Sequence, residues 1–539
     1  MSQEWWRGAI IYQIYPRSYQ DSTGTGVGDL PGITRRLDHV ASLGVDAIWL
    51  SPFFTSPMKD MGYDVSDYRD VDPLFGTLAD FDALVERAHA LGLKVIIDQV
   101  LSHTSDQHPW FRESRTAREG PKADWYTWAD AREDGSPPNN WQAIFGGVGW
   151  EWNAHRRQYY HHNFLIEQPD LNFHNRDVQD ALLDVMRFWL DRGVDGFRLD
   201  TVNYYVQDAQ LRDDLPAPPE QRAAALSTYG MQDHVHSKNR PENLDFVERM
   251  RALTDEYDAR MMVGEVGDDG QKAIEIMAAY TKGAGRLHMA YSFEMLGKKF
   301  SAKHFRHNVE DFQRAAPDGW PCWSFSNHDV VRHVTRWAEH AETPDLLARQ
   351  AVAMLMAFEG TIGLYQGEEL GQTETQMECH ELTDPPGIRY WPDNPGRDGC
   401  RTPMVWEVGA ENAGFSDAKP WLPVKPVQHA RAVDAQEGSN DSVLHAYRAA
   451  IAFRQGSMVL RRGATRFLDL PEPVLAFVRE HEGRALTCVF NLSREARRLT
   501  VEGADALVGP HSATLAGGAL ELGPNGYAYL DGAATLAVA

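Results

Sequence analysis

The sequence predicts an α/β protein: a (β/α)8 TIM barrel with a subdomain inserted after the third strand and a C-terminal antiparallel β domain. Three observations carry that prediction. Short apolar runs alternate with segments of helical period through most of the chain, the pattern of parallel strands buried on both faces. Those runs end repeatedly in charged or polar residues. From about Arg462 onward the pattern changes to short alternating segments with no helical period.

In chain order, the first strand is predicted at Ile10–Tyr15, stopped by Pro16, and a glycine-rich loop with acidic ends, Asp21–Asp29, follows. A helix over about Ile33–Leu43, ended by Gly44, leads to a second strand at Ala47–Leu50, stopped by Ser51 and Pro52. A helix over about Leu78–Ala90 leads to the third, Leu93–Asp98. The stretch of about Ser105–Asn172, rich in Trp, Pro and Gly, is too long for an ordinary connection and is expected to form a subdomain over the barrel mouth. The alternation resumes with Gly196–Asp200, Met261–Glu265, His288–Phe293, Cys322–Asn327 and Thr361–Tyr365, completing eight strands. The proline-rich Asp213–Gln221 falls in a long loop after the fourth strand, and Val474–Val478 and Ala485–Phe490 are strands of the C-terminal domain. The expected organisation is a barrel in two parts, 1–104 and 173–460, a subdomain at 105–172, and a β-sandwich domain at 461–539.

Composition narrows the partners. A net charge of -24, spread along the chain, argues against nucleic acid or an anionic membrane and favours solubility. No apolar run is long enough to span a bilayer, and Met1–Trp6 lacks a basic region followed by an apolar one, so a cytoplasmic protein is expected. Cys322, Cys379, Cys400 and Cys488 have no CxxC spacing and supply no disulfide or zinc framework. The 16 Trp and 19 Tyr suit sugar faces, although most aromatic rings serve a core.

The chemistry is concentrated at strand ends. Arg198 and Asp200, two apart on an extended segment, point to the same side. Arginine does not lose its proton, so it is expected to hold Asp200 ionised and depress its pKa, as a carboxylate nucleophile requires. Taken alone, Gly196–Thr201 reads as a structural ion pair at a strand end. The other strand ends change that reading: Asp98 with His103 beyond it, Glu265, and Asn327-His328-Asp329. Strand C-termini of such a barrel share one face, where active sites sit, and several carboxylates there match glycoside hydrolysis by paired carboxylates.

Asp98…His103, Gly196-Phe197-Arg198-Leu199-Asp200, Gly264-Glu265 and Asn327-His328-Asp329 resemble the four ordered motifs of the α-amylase superfamily, glycoside hydrolase family 13. Gln168-Pro169-Asp170-Leu171-Asn172 resembles the extra motif of its oligo-1,6-glucosidase and α-glucosidase branch. The resemblance implies a retaining mechanism with Asp200 as nucleophile, Glu265 as acid then base, and Asp329 as stabiliser of the oxocarbenium-like transition state. It further implies that His103 and His328 bond sugar hydroxyls, that Tyr63 stacks on the glucose, and that Asp60 with Arg397 grips the non-reducing-end 4-hydroxyl. Phe145 and Phe164 resemble aromatic clamps beside the next subsite, although isolated aromatics are more often core. Thr201 stands where relatives with α-1,4 preference carry threonine and those with α-1,6 preference carry valine. Exo-acting relatives usually carry a calcium-type loop where this chain has Asp21–Asp29. Here Thr23 and Thr25 replace two oxygen ligands, leaving Asp21 and Asp29, so a plain tight loop is expected and no cofactor is required.

The reading is an exo-acting retaining α-glucosidase that cleaves maltose and short oligosaccharides and transfers glucose to acceptor alcohols, working as a monomer or homodimer. The rivals are oligo-1,6-glucosidase, sucrose-processing enzymes, trehalose synthase and, from another class, a catalytically inactive transporter-associated homologue, whose membrane span this sequence lacks.

Overall fold

The computed structural model describes residues 4–538. Eight parallel strands form one sheet: β1 (Ile10–Ile14), β2 (Ala47–Leu50), β3 (Lys94–Gln99), β4 (Gly196–Leu199), β5 (Met261–Val266), β6 (Met289–Ser292), β7 (Cys322–Ser324) and β8 (Thr361–Tyr365). They lie in the order β6-β5-β4-β3-β2-β1-β8-β7. A parallel bridge between Ala290 on β6 and Pro321, just before β7, joins the two edges and closes the barrel.

Alternate residues along each strand serve two different cores. Ile10, Tyr12 and Ile14 face the surrounding helices with Ile48, Leu50, Val95, Ile97 and Met262. Ile11, Ala47, Trp49, Ile96, Met261, Val263, Met289 and Tyr291 fill the barrel interior. The period of two therefore also sends Gln13, Asp98, Arg198 and Glu265 inward, at positions level with or above that interior layer. Register completes the placement: Asp98 pairs with Arg198 across β3 and β4, and Glu265 with Tyr291 across β5 and β6.

The helices are α1 (Leu30–Leu43), α2 (Leu78–Ala90), α3 (Arg176–Asp191), α4 (Asn243–Thr254), α5 (Gly270–Thr281), α6 (Ala302–Ala315), α7 (Pro344–Ala357) and α8 (Val443–Gln455), with shorter turns between them. Helix α1 begins three residues earlier than its apolar period suggests, because Asp29 caps it by accepting from the Gly32 N–H at 2.7 Å. It ends at Gly44, whose φ of 85° takes the left-handed form a C-terminal cap needs. Strand β7 stops at Ser324 rather than at Asn327. The Ser324 hydroxyl donates to the Ser326 carbonyl at 2.7 Å, and the chain turns there to lay Asn327–Asp329 across the rim.

Between β3 and α3 lies a three-stranded antiparallel sheet of Trp128–Ala129, Gln158–His161 and Trp150–Asn153. It is tied to the barrel rim by an antiparallel bridge of His103 with Asp170, and Asp170 is itself paired with the buried His161 at 2.8 Å. The C-terminal region contains two four-stranded antiparallel sheets, one of Ala464–Phe467, Val474–His481, Arg484–Asn491 and Tyr527–Asp531, and one of Arg497–Glu502, Ala513–Ala516, Ala519–Leu522 and Thr535–Val538. The buried Arg479 fastens the first of these to the barrel by donating to the Ala357 carbonyl at the end of α7. Among the described residues, no helix is long and apolar enough to cross a membrane.

Candidate active site

Arg198 stands at the centre of the rim. Its Nη1 donates to Asp98 at 2.8 Å and to Asp200 at 2.7 Å, while Nη2 meets Glu265 at 2.7 Å. Nε donates to the Tyr291 hydroxyl at 3.1 Å, and the guanidinium lies 5.0 Å from the centroid of Trp49. A planar fork with five donors can do this, and an ammonium cannot. The side chain is wholly buried, so its charge acts at full strength on all three carboxylates.

The chain turns sharply after Asp200. Thr201 adopts φ 40° and ψ 48°, a left-handed conformation uncommon for a β-branched residue. That strain aims its backbone N–H at Glu265 Oε2, 3.0 Å away. The Thr201 hydroxyl reaches Asp200 Oδ2 at 3.3 Å and the Ser102 hydroxyl at 3.2 Å. On β5, Gly264 is tightly packed: a Cβ there would sit 2.5 Å from Leu287 Cδ1, so the leucine side chain would have to shift.

A second charged group closes the far end. Arg397 Nη2 donates to Asp60 at 2.9 Å and to Asp384 at 2.6 Å, and its Nη1 reaches Asp329 at 3.2 Å. Arg401 also holds Asp329, at 2.9 Å. His328 sits beneath. The Gln13 amide donates to its Nδ1 at 2.7 Å, which leaves the ring proton on Nε2, facing the Tyr63 hydroxyl and, at 3.3 Å, Asp329. The Tyr63 hydroxyl also donates to Asp98 at 3.3 Å. His103 contacts the Tyr63 carbonyl at 3.0 Å and the Gln168 amide at 3.1 Å, and the same amide donates to Asp60 at 3.1 Å.

Of the residues expected at the site, Asp60, Tyr63, His103, Phe145, Phe164, Asp200, Thr201, Glu265, Asp329 and Arg397 line one cavity of about 650 Å³. Arg198 and His328 support its floor from below. Phe145 and Phe164 project from the inserted segment with ring centroids 5.7 Å apart, and Arg397 lies 5.0 Å over the Phe145 ring. Sequence reasoning missed Tyr291, Asp384, Arg401 and Gln13. Strand alternation carries the signal for Gln13 and Tyr291, and Arg401 lies four residues beyond Arg397. Asp384 sits in a loop with no distinguishing pattern.

The alpha-amylase catalytic-domain family model matches residues 13–463. The chain belongs to the α-amylase family, glycoside hydrolase family 13. It is 56% identical over 499 residues to a protein named probable alpha-glucosidase from Rhizobium meliloti (strain 1021), covering 92% of this chain and 90% of that one. An oligo-1,6-glucosidase of Heyndrickxia coagulans is 36% identical over 528 residues, covering 91% and 92% of the two chains. Among solved structures, an alpha-glucosyl transfer enzyme superposes with a TM-score of 0.95 at 52% identity, covering 98% of this chain and 99% of that one. The protein is therefore a glycoside hydrolase of the glucosidase branch.

Within this glycoside hydrolase the rim carboxylates do not titrate alike. Burial pushes Asp200 up to about 7, with Arg198 opposing and the charges of Asp98 and Asp329 adding to the rise. Glu265 is also pushed up to about 7 by burial, against Arg198 and with repulsion from Asp200 and Asp329. Asp98 rises to about 6 for the same reasons. Asp329 goes the other way: burial would raise it, but His328, Arg397 and Arg401 together hold it well below the usual carboxylate range. Arg198 does pull the Asp200 pKa down, as expected, but the expectation that it leaves Asp200 below its ordinary value is corrected. One positive charge shared among three buried carboxylates does not offset burial and their mutual repulsion. Asp200 and Glu265 therefore each keep a proton more readily than an ordinary carboxylate does.

That charge crowding predicts a stability signature. An unfolded carboxylate titrates near 4 and these two near 7 when folded, so their favourable contribution is complete below about pH 4 and is lost as pH rises through about 7. Asp200→Asn removes one of the crowded charges. It is expected to be about 1–3 kcal/mol more stable than wild type at pH 8, with the gain vanishing towards pH 4. Denaturant melts at several pH values check this; an Asp200→Asn protein less stable at pH 8 contradicts it.

Proposed function

We propose that the protein is an exo-acting, retaining α-glucosidase acting on maltose and short α-1,4-linked oligosaccharides, with transfer of glucose to acceptor alcohols as a second outcome. The observation that carries the reading is the Asp200–Arg198–Glu265 bridge on the floor of a cavity whose far end is closed by Asp60 and Arg397. Asp200 and Glu265 sit on the two arms of one guanidinium, which supports their working as the carboxylate pair of a retaining mechanism.

In this reading Asp200 is the ionised member of the pair and Glu265 holds the shared proton. Asp200 attacks the anomeric carbon while Glu265 protonates the departing glycosidic oxygen, so the sugar leaves as a neutral alcohol. Glu265, now ionised, then takes a proton from water or an acceptor hydroxyl, which displaces Asp200 and restores the starting state. Asp329, held ionised by Arg397 and Arg401, places a negative charge beside the developing oxocarbenium. His103 and Tyr63 are assigned to the glucose hydroxyls and ring and Asp60 with Arg397 to its 4-hydroxyl, while His328, expected to bond the sugar directly, lies beneath the floor and holds Tyr63 and Asp329 in place.

Two further features support a neutral substrate in a reducing compartment. Among the described residues, both lysines on the cavity wall are already paired, Lys238 with Asp268 at 3.2 Å and Lys272 with Asp233 at 3.2 Å, so a phosphorylated sugar finds no free ammonium there. Cys322, Cys400 and Cys488 are buried free thiols, in keeping with a cytoplasmic setting.

The Asp21–Asp29 loop does not fit a hard cation. Asp21 accepts from the N–H groups of Thr23, Gly24 and Gly26 and from the Ser416 hydroxyl. Asp29 accepts from the N–H groups of Ser22 and Gly32. Burial opposes ionisation of Asp21, yet the Ser416 hydroxyl and these N–H groups hold its pKa below the usual value. The carboxylates of the loop are already engaged by these donors, so EDTA is expected to leave activity and melting temperature unmoved. A fall in melting temperature restored by calcium contradicts this.

Linkage preference is assigned to Thr201. Thr201 is 9% exposed at the cavity wall; its hydroxyl bonds the nucleophile and Ser102, and valine would keep the shape but lose both bonds. One neutral hydrogen bond contributes about 0.5–1.5 kcal/mol, roughly threefold to tenfold in rate. Maltose is therefore expected to exceed isomaltose in kcat/KM, and Thr201→Val to move the ratio towards isomaltose by about that factor. An unchanged ratio assigns the preference to the Tyr229–Gly230 wall instead, and equal cutting of starch and maltose by wild type defeats the exo reading.

A further inference from the structure

We propose that Lys238 is a positioning residue that builds the acceptor side of the cavity, locking Tyr204 and Tyr229 into a wall for a neutral sugar ring. Through that wall it sets how well the glucosyl-enzyme selects a sugar over water. The inference rests on the α-glucosidase reading and deepens its acceptor half.

Lys238 lines the same cavity as Asp200 and Glu265, yet it is only 4% exposed. Its ammonium donates to the Tyr204 hydroxyl at 2.9 Å and to the Gly267 carbonyl at 2.9 Å, and it pairs with Asp268 at 3.2 Å. Three N–H donors meet three acceptors, so none is left for a ligand. A buried ammonium costs several kcal/mol unless it is fully bonded, as this one is. The same charge lies 4.7 Å from the ring centroid of Tyr204 and 5.7 Å from that of Tyr229.

The two tyrosine hydroxyls are likewise committed. They bond each other at 2.8 Å, and the Tyr204 hydroxyl also donates to the Gly267 carbonyl at 3.1 Å. What the wall offers an acceptor is therefore ring surface, which matches the apolar face of a pyranose. The rings are held tightly in place. Tyr229 stacks on His234 with centroids 3.8 Å apart and planes 19° apart. Tyr204 packs so close to Gly267 that a Cβ there would lie 2.8 Å from its ring.

Lys238 thereby joins two separate loops. It belongs with Tyr204 and Tyr229 to the loop after β4, and it is anchored to Gly267 and Asp268 on the loop after β5, two and three residues beyond Glu265. A sugar must find both loops in register in order to stack and present its hydroxyl to Glu265. Water needs no wall, and neither does a fluoride leaving group. Loosening the rings should penalise sugar leaving groups and sugar acceptors selectively, because an unorganised wall adds its ordering cost to their binding.

The test compares maltose with α-glucosyl fluoride, in which the C–F bond breaks, fluoride departs and the same Asp200–glucose bond forms. Lys238→Met removes the charge, Lys238→Met/Asp268→Asn removes it without orphaning Asp268, and Lys238→Arg supplies another cation. The ratio of kcat/KM for maltose to that for α-glucosyl fluoride is expected to fall at least tenfold in the first two variants and to recover in part with arginine. With the fluoride as donor, the glucose concentration giving half-maximal transfer should rise by a similar factor. An unchanged ratio in a folded variant overturns the inference. So does equal loss with both substrates, or failure of all three variants to fold, since either leaves Lys238 a merely structural role. Absence of α-glucosyl fluoride turnover in wild type instead sinks the glucosidase reading, and this inference with it.

Discussion

One permanently charged guanidinium shared among three buried carboxylates is the constraint from which the rest of this site follows. Arg198 bonds Asp98, Asp200 and Glu265 at once, and strands β3, β4 and β5 supply those residues in adjacent register. Without the barrel, no three such groups would be drawn this close, because each buried carboxylate costs more than a surface pair returns. The barrel's hydrophobic layers hold them there regardless. The negative charge left uncompensated near neutrality is what allows one carboxylate to be ionised while its neighbour keeps a proton.

Polarity then divides the cavity into two ends. At one end Arg397 and Arg401 hold Asp329 ionised and tie Asp60 and Asp384 into a closed wall. At the other, Lys238 is paired with Asp268 and Lys272 with Asp233, and the rings of Tyr204 and Tyr229 stand beside them. Charge-assisted bonds suit a fixed glucose whose hydroxyls are always in the same place. Ring surface suits a leaving group or acceptor that varies. The inserted segment contributes Phe145 and Phe164 where the two ends meet.

Much of this is legible in the sequence because strand geometry is so regular. A spacing of two residues puts Arg198 and Asp200 on one side, and the same alternation puts Asp98, Glu265 and Tyr291 inward from their own strands. What the sequence does not disclose is how many carboxylates converge on one arginine. The direction of the Asp200 shift turns on that number, and it was expected to go the other way. Loop residues are harder still: Asp384 and Lys238 gain their roles only through partners more than ten residues away. Boundaries slipped where side chains rather than periodicity decide them, as with the Asp29 cap of α1 and the Ser324 turn that shortens β7.

The central claim is that Asp200 is the member of the pair that bonds to the sugar. Incubation with a 5-fluoro-α-glucosyl fluoride, which forms the glucosyl-enzyme faster than water removes it, followed by peptide mass spectrometry, tests it most directly. A single glucosyl adduct is expected, on the peptide containing Asp200 and absent from Asp200→Asn. An adduct on Glu265 or Asp329, or no adduct together with release of β-glucose from maltose, would contradict it.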